Sequence, residues 1–223
     1  MIRALIFDFD GLILDTESPL RASWMEIYEQ AGLQVDKRVW ASMLGGSADP
    51  QEAYDLLEQH LKGPIDRDRI HTRRLLRERE ILAGKEVMPG VRELIAAAQE
   101  LGLRLAVSSS SDRAWVLGHL EERGLLDEFD VVTCEEDVSE TKPEPDLYLR
   151  SLERLDVRPE EGIAFEDSEH GVAAAKAAGL FCVAVPNAVT SCLTFAEADL
   201  VVSSLDVLSL QAYIDAAEGS GRT

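Results

Sequence analysis

From residue 86 onward the chain switches its hydrophobic period repeatedly. Short apolar runs of strand length ("LRLAVSSS", "FDVVTC", "GIAFED", "FCVAVP", "DLVVSS") alternate with helical stretches such as "VRELIAAAQELG", "DRAWVLGHLEERG", "EPDLYLRSLERLD" and "SEHGVAAAKAAG", and "VLSLQAYIDAA" closes the series. This alternation is the strongest constraint in the sequence. Strands interleaved with helices require crossover connections, hence a parallel sheet with helices on both faces. One further apolar run, residues 2–9, stands alone at the start. Between it and the rest, residues 18–84 read as helices only. Leu20, Trp24, Ile27 and Tyr28 recur at helical spacing until "AGL" at Ala31–Leu33. Asp49 can cap a second helix that places Ala53, Leu56, Leu57 and Leu61 on one face. "DRDRIHTRRLLREREILAG" reads as a third, ending at Gly84. The expected fold is therefore α/β: a doubly wound, Rossmann-like parallel sheet from residues 1–15 and 86–223, with an α-helical cap inserted at 16–85.

A length of 223 residues suits one core with such an insertion. A chain this size buries enough surface to need no disulfide framework. Its three cysteines, Cys134, Cys182 and Cys192, show no metal-site spacing, and reduced thiols in a cytoplasmic protein are expected. "MIRALIFDFD" is interrupted by acids and reads as neither a signal peptide nor a membrane span. With 42 acids against 22 bases the formal charge is −20, which disfavours nucleic acid and anionic membranes as partners. A monomer or weak homodimer is the expected state.

Within this fold, ligands bind beyond the carboxyl ends of the strands. The polar residues of this chain fall there. The first strand ends in "DFD", the second in "SSSS" and the fourth in "FED"; "SETKPEP" follows the third. Taken singly, a DxD pair could serve another metal site, a serine run could be a loop and a lysine is usually solvated. As an ordered set, "DFDGLILDTE", "AVSSSS", "TKPEPDLY" and "EDSEHGVAAAKAAG" resemble the haloacid dehalogenase superfamily of phosphotransferases, in the branch holding β-phosphoglucomutase and many small-metabolite phosphatases. The resemblance covers nearly the whole chain, including the helical cap after the first motif.

The resemblance implies a role for each motif. Asp8 would be the nucleophile that takes up the phosphoryl group. Asp10 would be the general acid for the leaving alcohol and then the base for water, a double role open to a carboxyl left ionised by its first step. Mg2+ would be held by Asp8, the main-chain carbonyl of Asp10 and Asp167, with Glu166 either as a further ligand or as a support. Lys142 would neutralise charge on the phosphoryl oxygens and the nucleophile, and Lys142–Pro143 is expected to be a cis bond. Ser109, with Ser110 and adjacent backbone N–H groups, would cradle the phosphoryl group.

The resemblance also separates phosphatase from mutase. Mutases of the branch carry a histidine where this chain has Leu20, an arginine in the cap loop where "LGGSAD" has Asp49, and a basic residue where "SSSSDR" has Asp112. Each departure removes a group that would hold a second phosphate, so a Mg2+-dependent phosphatase of small phosphomonoesters (sugar or short organic-acid phosphates) is favoured over a sugar phosphate mutase. A phospho-acceptor signalling domain is the remote alternative, disfavoured by the cap and by Asp10.

In the cap, Arg67, Arg69, Arg73, Arg74, Arg77 and Arg79 read chiefly as a solvated helix face paired with Asp66, Asp68, Glu78 and Glu80. His71 or Arg74 is the candidate substrate contact there. His60, His119 and His170, and the three tryptophans Trp24, Trp40 and Trp115, read as packing or solvated residues.

Overall fold

The computed structural model describes residues 1–36, 38–40 and 51–220. Six parallel strands form one sheet in the order β3-β2-β1-β4-β5-β6. They are β1 (Ala4–Phe7), β2 (Arg104–Ser108), β3 (Val131–Thr133), β4 (Gly162–Glu166), β5 (Phe181–Ala184) and β6 (Leu200–Val201). The stretch expected at 2–9 is a strand over four residues, but its ladder runs one step further: the Asp8 N–H donates to the Phe165 carbonyl at 3.0 Å.

Every residue of β1 is buried, as a strand between two helical layers requires. Successive side chains point to opposite faces. Leu5 and Phe7 join α4 (Val91–Glu100), α5 (Arg113–Glu122) and α8 (Leu210–Gly219) in one apolar layer. Ala4 and Ile6 join α6 (Asp146–Leu155) and α7 (Glu169–Ala177) in the other. The small side chains of α7 (Ala174 and Ala175) let that helix lie close to the sheet.

Ahead of α4, the helices with described bounds are α1 (Glu17–Gln30), α2 (Gln51–Leu61) and α3 (Arg67–Leu82). They bury a further apolar cluster, joined by Val189 from the loop after β5, in which Trp24 packs on Tyr28, Trp40 and Tyr54. Leu57 and Ala53 are buried as their spacing predicts, but Leu61 is 50% exposed and Tyr54 takes its place in the cluster. Leu61 shares that face, two turns beyond Tyr54, but it is the last residue of α2 and lies past the end of the cluster. The capping role of Asp49 and the last three residues lie outside the described residues.

The two passages of chain between sheet and helices are bonded to each other. Leu14 bridges to Val87, the Met88 N–H donates to the Ile13 carbonyl at 2.9 Å, and Lys85 Nζ lies 2.7 Å from Asp15 Oδ2. Asp15 also accepts the Ser18 N–H at 3.0 Å, which anchors the start of α1. Among the described residues no helix is long and apolar enough to cross a membrane.

Candidate active site

Beyond the Asp8 N–H the chain leaves the sheet, and Asp8 and Asp10 part company. The Asp8 carboxylate turns towards β4. There Asp8, Glu166 and Asp167 each offer an oxygen within 4.8 Å of the others, and all three residues are buried. Lys142 donates to Asp8 and lies 2.6 Å from Glu166 Oε1, with its ammonium 5.2 Å from the centre of the Tyr148 ring. The Lys142–Pro143 bond is cis, as expected.

Three carboxylates thus share one ammonium, a formal charge of −3 + 1 = −2 when all are ionised. Burial pushes the Asp8 carboxyl up to about 8; Lys142 works against this, and Glu166 and Asp10 add to it. Burial, with Asp8, Glu17 and Glu166 nearby, raises Asp167 well above the ordinary carboxylate range. Burial alone would lower Lys142, but Asp8 and Glu166 outweigh it and hold the amine above its usual value. Hard oxygen ligands in a deficit of positive charge are the donor set that Mg2+ prefers, so the residues present fit that ion.

The backbone makes room for this cluster at two glycines. Gly11 has a φ of +81°, and a Cβ there would fall 2.2 Å from Asp167 Oδ2. A Cβ on Gly171 would fall 1.9 Å from Glu166 Oε2. Glu166 is the most enclosed of the acids: Tyr148 Oη donates to it at 2.5 Å, the Asp167 N–H at 3.2 Å and Ser168 Oγ at 3.3 Å. Asn187, in the loop after β5, donates to Asp167 Oδ2 at 2.6 Å and to the Gly11 carbonyl at 3.3 Å. Its own oxygen accepts the Val189 and Thr190 N–H groups, which fixes the amide's orientation.

The Asp10 carboxylate turns the other way, towards the end of β2. Ser111 Oγ donates to Asp10 Oδ2 at 2.7 Å and Ser109 Oγ at 3.3 Å, while Trp115 Nε1 donates to Oδ1 at 2.9 Å. The Ser110 hydroxyl is buried with no protein partner, so a phosphoryl oxygen would meet an uncommitted group in this loop. Asp112 accepts the Trp115 N–H at 2.8 Å and caps α5. Glu17, the first residue of α1, has a buried oxygen without a partner; burial, with Asp10, Asp8 and Asp15 nearby, pushes it up to about 8.

The structure therefore brings Asp8, Glu166, Asp167 and Lys142 into one cluster, with Asp10 and Ser109 beside each other at its rim. It corrects one expectation: Trp115 is not only a packing residue, because its indole N–H reaches a site carboxylate. Sequence reading also missed Ser111, Tyr148 and Asn187. Tyr148 lies inside the quoted "KPEPDLY", so its proximity to Lys142 was the one available signal.

Of the candidate substrate contacts, His71 Nδ1 is 3.2 Å from Tyr54 Oη, and Arg74 is buried and paired with Glu78, whose charge also acts on Glu17. The solvated reading of the arginine helix thus fails at Arg74. Elsewhere its pairs run largely between helices: Arg67 lies 2.7 Å from both Asp55 and Glu58 of α2, and Arg77 lies 2.8 Å from Glu26 of α1. Both contacts tie α3 to its neighbours.

The acids lie at the carboxyl ends of parallel strands, where sheets of this kind bind their ligands. The sequence matches the family of haloacid dehalogenase-like hydrolases over residues 5–185. It is 40% identical to YhcW, a phosphatase candidate of Bacillus subtilis, over 96% of this chain and 97% of that one. It is 28% identical to the β-phosphoglucomutase of the same organism, over 94% and 93% of the two chains. A crystal structure of a CbbY variant from Rhodobacter sphaeroides, in complex with xylulose-1,5-bisphosphate, superposes with a TM-score of 0.74 at 32% identity, covering 94% of this chain and 97% of that one. The chain belongs to the haloacid dehalogenase-like hydrolase family.

Proposed function

We propose that the chain is a Mg2+-dependent phosphatase of small phosphomonoesters, sugar phosphates foremost, working through an aspartyl phosphate on Asp8. The observation that carries this reading is the buried Asp8–Glu166–Asp167 cluster with Lys142 as its single ammonium among the described residues. A carboxylate kept beside an amine and short of counter-charge is poised to receive a phosphoryl group and a cation together.

An oxygen of Asp8 attacks phosphorus, and the bond from phosphorus to the ester oxygen breaks. Asp10 gives its proton to the departing alcohol. Asp10, now ionised, takes a proton from water as that water attacks the phosphorus; the bond to Asp8 breaks and inorganic phosphate is released. Lys142 and the serine loop stabilise charge on the phosphoryl oxygens as it spreads. Asp8, Asp167 and the Asp10 carbonyl would hold Mg2+, with Glu166 beneath them, and the bound ion would offset the repulsion between carboxylate and phosphate. Residues 16–85 act as a cap that covers the site and excludes water. His71 and Arg74 remain candidate substrate contacts within it. The free thiols of Cys134, Cys182 and Cys192 support a cytoplasmic setting.

Phosphatase is favoured over mutase because Leu20 and Asp112 offer no positive charge to a second phosphate, and Asp112 is committed to capping α5. Incubation with β-glucose 1-phosphate and a bisphosphate primer tests this: free phosphate is expected, and isomerised sugar phosphate would replace the reading with the mutase one. Beryllium fluoride with Mg2+ is expected to lodge on Asp8, and a panel of phosphorylated metabolites scored by kcat/KM would rank sugar phosphates first.

A further inference from the structure

We infer that Trp115 is a positioning residue for the Asp10 carboxylate, acting with Ser111 to fix which way the proposed general acid faces. This rests on the reading of Asp10 given above. Asp10 lies on a segment that has left the sheet, and from the next residue the chain folds into a tight turn, Gly11–Leu14, closed by the Gly11 N–H on the Leu14 carbonyl at 2.7 Å. No ladder holds its side chain. Three donors do so instead, and they come from a different part of the chain. Trp115 Nε1 holds Oδ1 at 2.9 Å; Ser111 and Ser109 hold Oδ2 at 2.7 and 3.3 Å. An ionised carboxylate offers about four acceptor sites. Donors on both oxygens fix the rotation of the carboxyl plane, which a single contact would leave free.

The indole is itself held rigidly. Asp112 caps α5 through the Trp115 N–H, so the helix begins with Trp115 in its first turn. One turn later, the His119 ring meets the indole edge-on, with centroids 4.3 Å apart and planes at 86°. His119 also lies parallel to Phe9, at 6.4 Å and 14°. Phe9 is the residue between Asp8 and Asp10. The same helix therefore meets the side chain before Asp10 through one ring contact and the Asp10 carboxylate through an N–H. A further turn along, Arg123 donates to the Leu82 and Lys85 carbonyls at 3.5 and 3.3 Å, so α5 also touches the return passage from the helical insert.

The inference separates from a packing role by leaving-group chemistry. 4-Nitrophenol leaves without help, whereas phenol, a weaker acid of nearly the same size, benefits from a proton donor. The measurement is kcat/KM for 4-nitrophenyl and phenyl phosphate with Mg2+, for wild type, Trp115→Phe, Ser111→Ala, Asp10→Asn and Trp115→Phe/Asp10→Asn. Trp115→Phe keeps an aromatic ring and loses the N–H donor together with the five-membered ring that carries it. It is expected to depress the phenyl ester about tenfold more than the nitrophenyl ester, the size of one hydrogen bond to a charged group. Ser111→Ala should act in the same direction, and it keeps the test open if the tryptophan variant folds poorly by thermal melt. In the double variant the phenyl-ester loss should not exceed that of Asp10→Asn alone, because both changes act through one carboxylate. Equal losses on both esters in Trp115→Phe, no loss, or full additivity in the double variant would overturn the inference while leaving the role of Asp10 intact. No differential in Asp10→Asn would remove that role, and the inference with it.

Discussion

Two carboxylates beyond strand ends of the same sheet have opposite surroundings. Asp137, in the short turn after β3, accepts from Arg113, from Arg154 Nη2 at 2.5 Å and from the Cys134 N–H at 2.9 Å. Burial pushes its carboxyl up, but Arg154, the Cys134 N–H and Arg113 outweigh it and leave it at about 2. Asp8, after β1, shares one lysine with two other acids, and burial dominates to leave it at about 8. The first acid is balanced by the protein and ties β3, α5 and α6 together. The second is left short of positive charge in a place where a ligand can supply it. Acid content alone does not distinguish them, since both sit in acidic stretches; the count of cations around each one does.

The sharpest way to break this comparison is to neutralise each acid. Asp8→Asn is expected to lower kcat by more than about 10^4-fold, as loss of a nucleophile does. It should also raise the melting temperature of the metal-free protein, because it removes charge from an overcharged cluster. Asp137→Asn should leave turnover in place and lower the melting temperature. Steady-state kinetics and thermal melts on both variants decide the matter.

Next comes metal linkage. At a hundred times its dissociation constant, Mg2+ should stabilise the wild type by about 2.7 kcal/mol. That shift should vanish in Asp167→Asn and persist in Asp137→Asn. A titration followed by melting temperature, with chelator as the return arm, measures it without reference to activity.

A smaller effect is expected with pH, and it has opposite signs at the two acids. Asp8 titrates higher in the folded chain than its ordinary 3.8, so its contribution is complete below 3.8 and is lost as pH rises through about 8. Asp137 titrates lower than 3.8, so its contribution is complete above that value and is lost as pH falls through about 2. Denaturant midpoints without divalent ions should decline on both sides. Asp8→Asn should flatten the alkaline limb and Asp137→Asn the acid one.

The smallest effect belongs to the helical insert. Arg77, exposed and paired with Glu26 and Glu80, should tolerate alanine with no measurable change in midpoint, because solvent screens such pairs.

Much of this was legible in the sequence. The period changes gave the sheet and its helices, and the strand-end rule placed Asp8, Ser109, Lys142, Glu166 and Asp167 on one edge before any coordinates. What escaped notice did so for physical reasons. Trp115 fits the apolar period of α5, so its spacing was already accounted for, and nothing in a linear pattern shows where an indole N–H points. Asn187 lies in a loop with no periodicity. Arg74 and Glu78 are spaced four apart in a charged helix, and that spacing looks the same whether the pair faces water or the interior. Leu61 fits the stripe of its helix, but a stripe does not reveal where the buried cluster beneath it ends.

The joined passages at Asp15–Lys85 and Ile13–Met88 have an architectural consequence. The helical insert enters and leaves through one doorway, so the sheet bears no imprint of how long or how varied the detour between them is. Such a layout frees the strands below from any dependence on what is built above them.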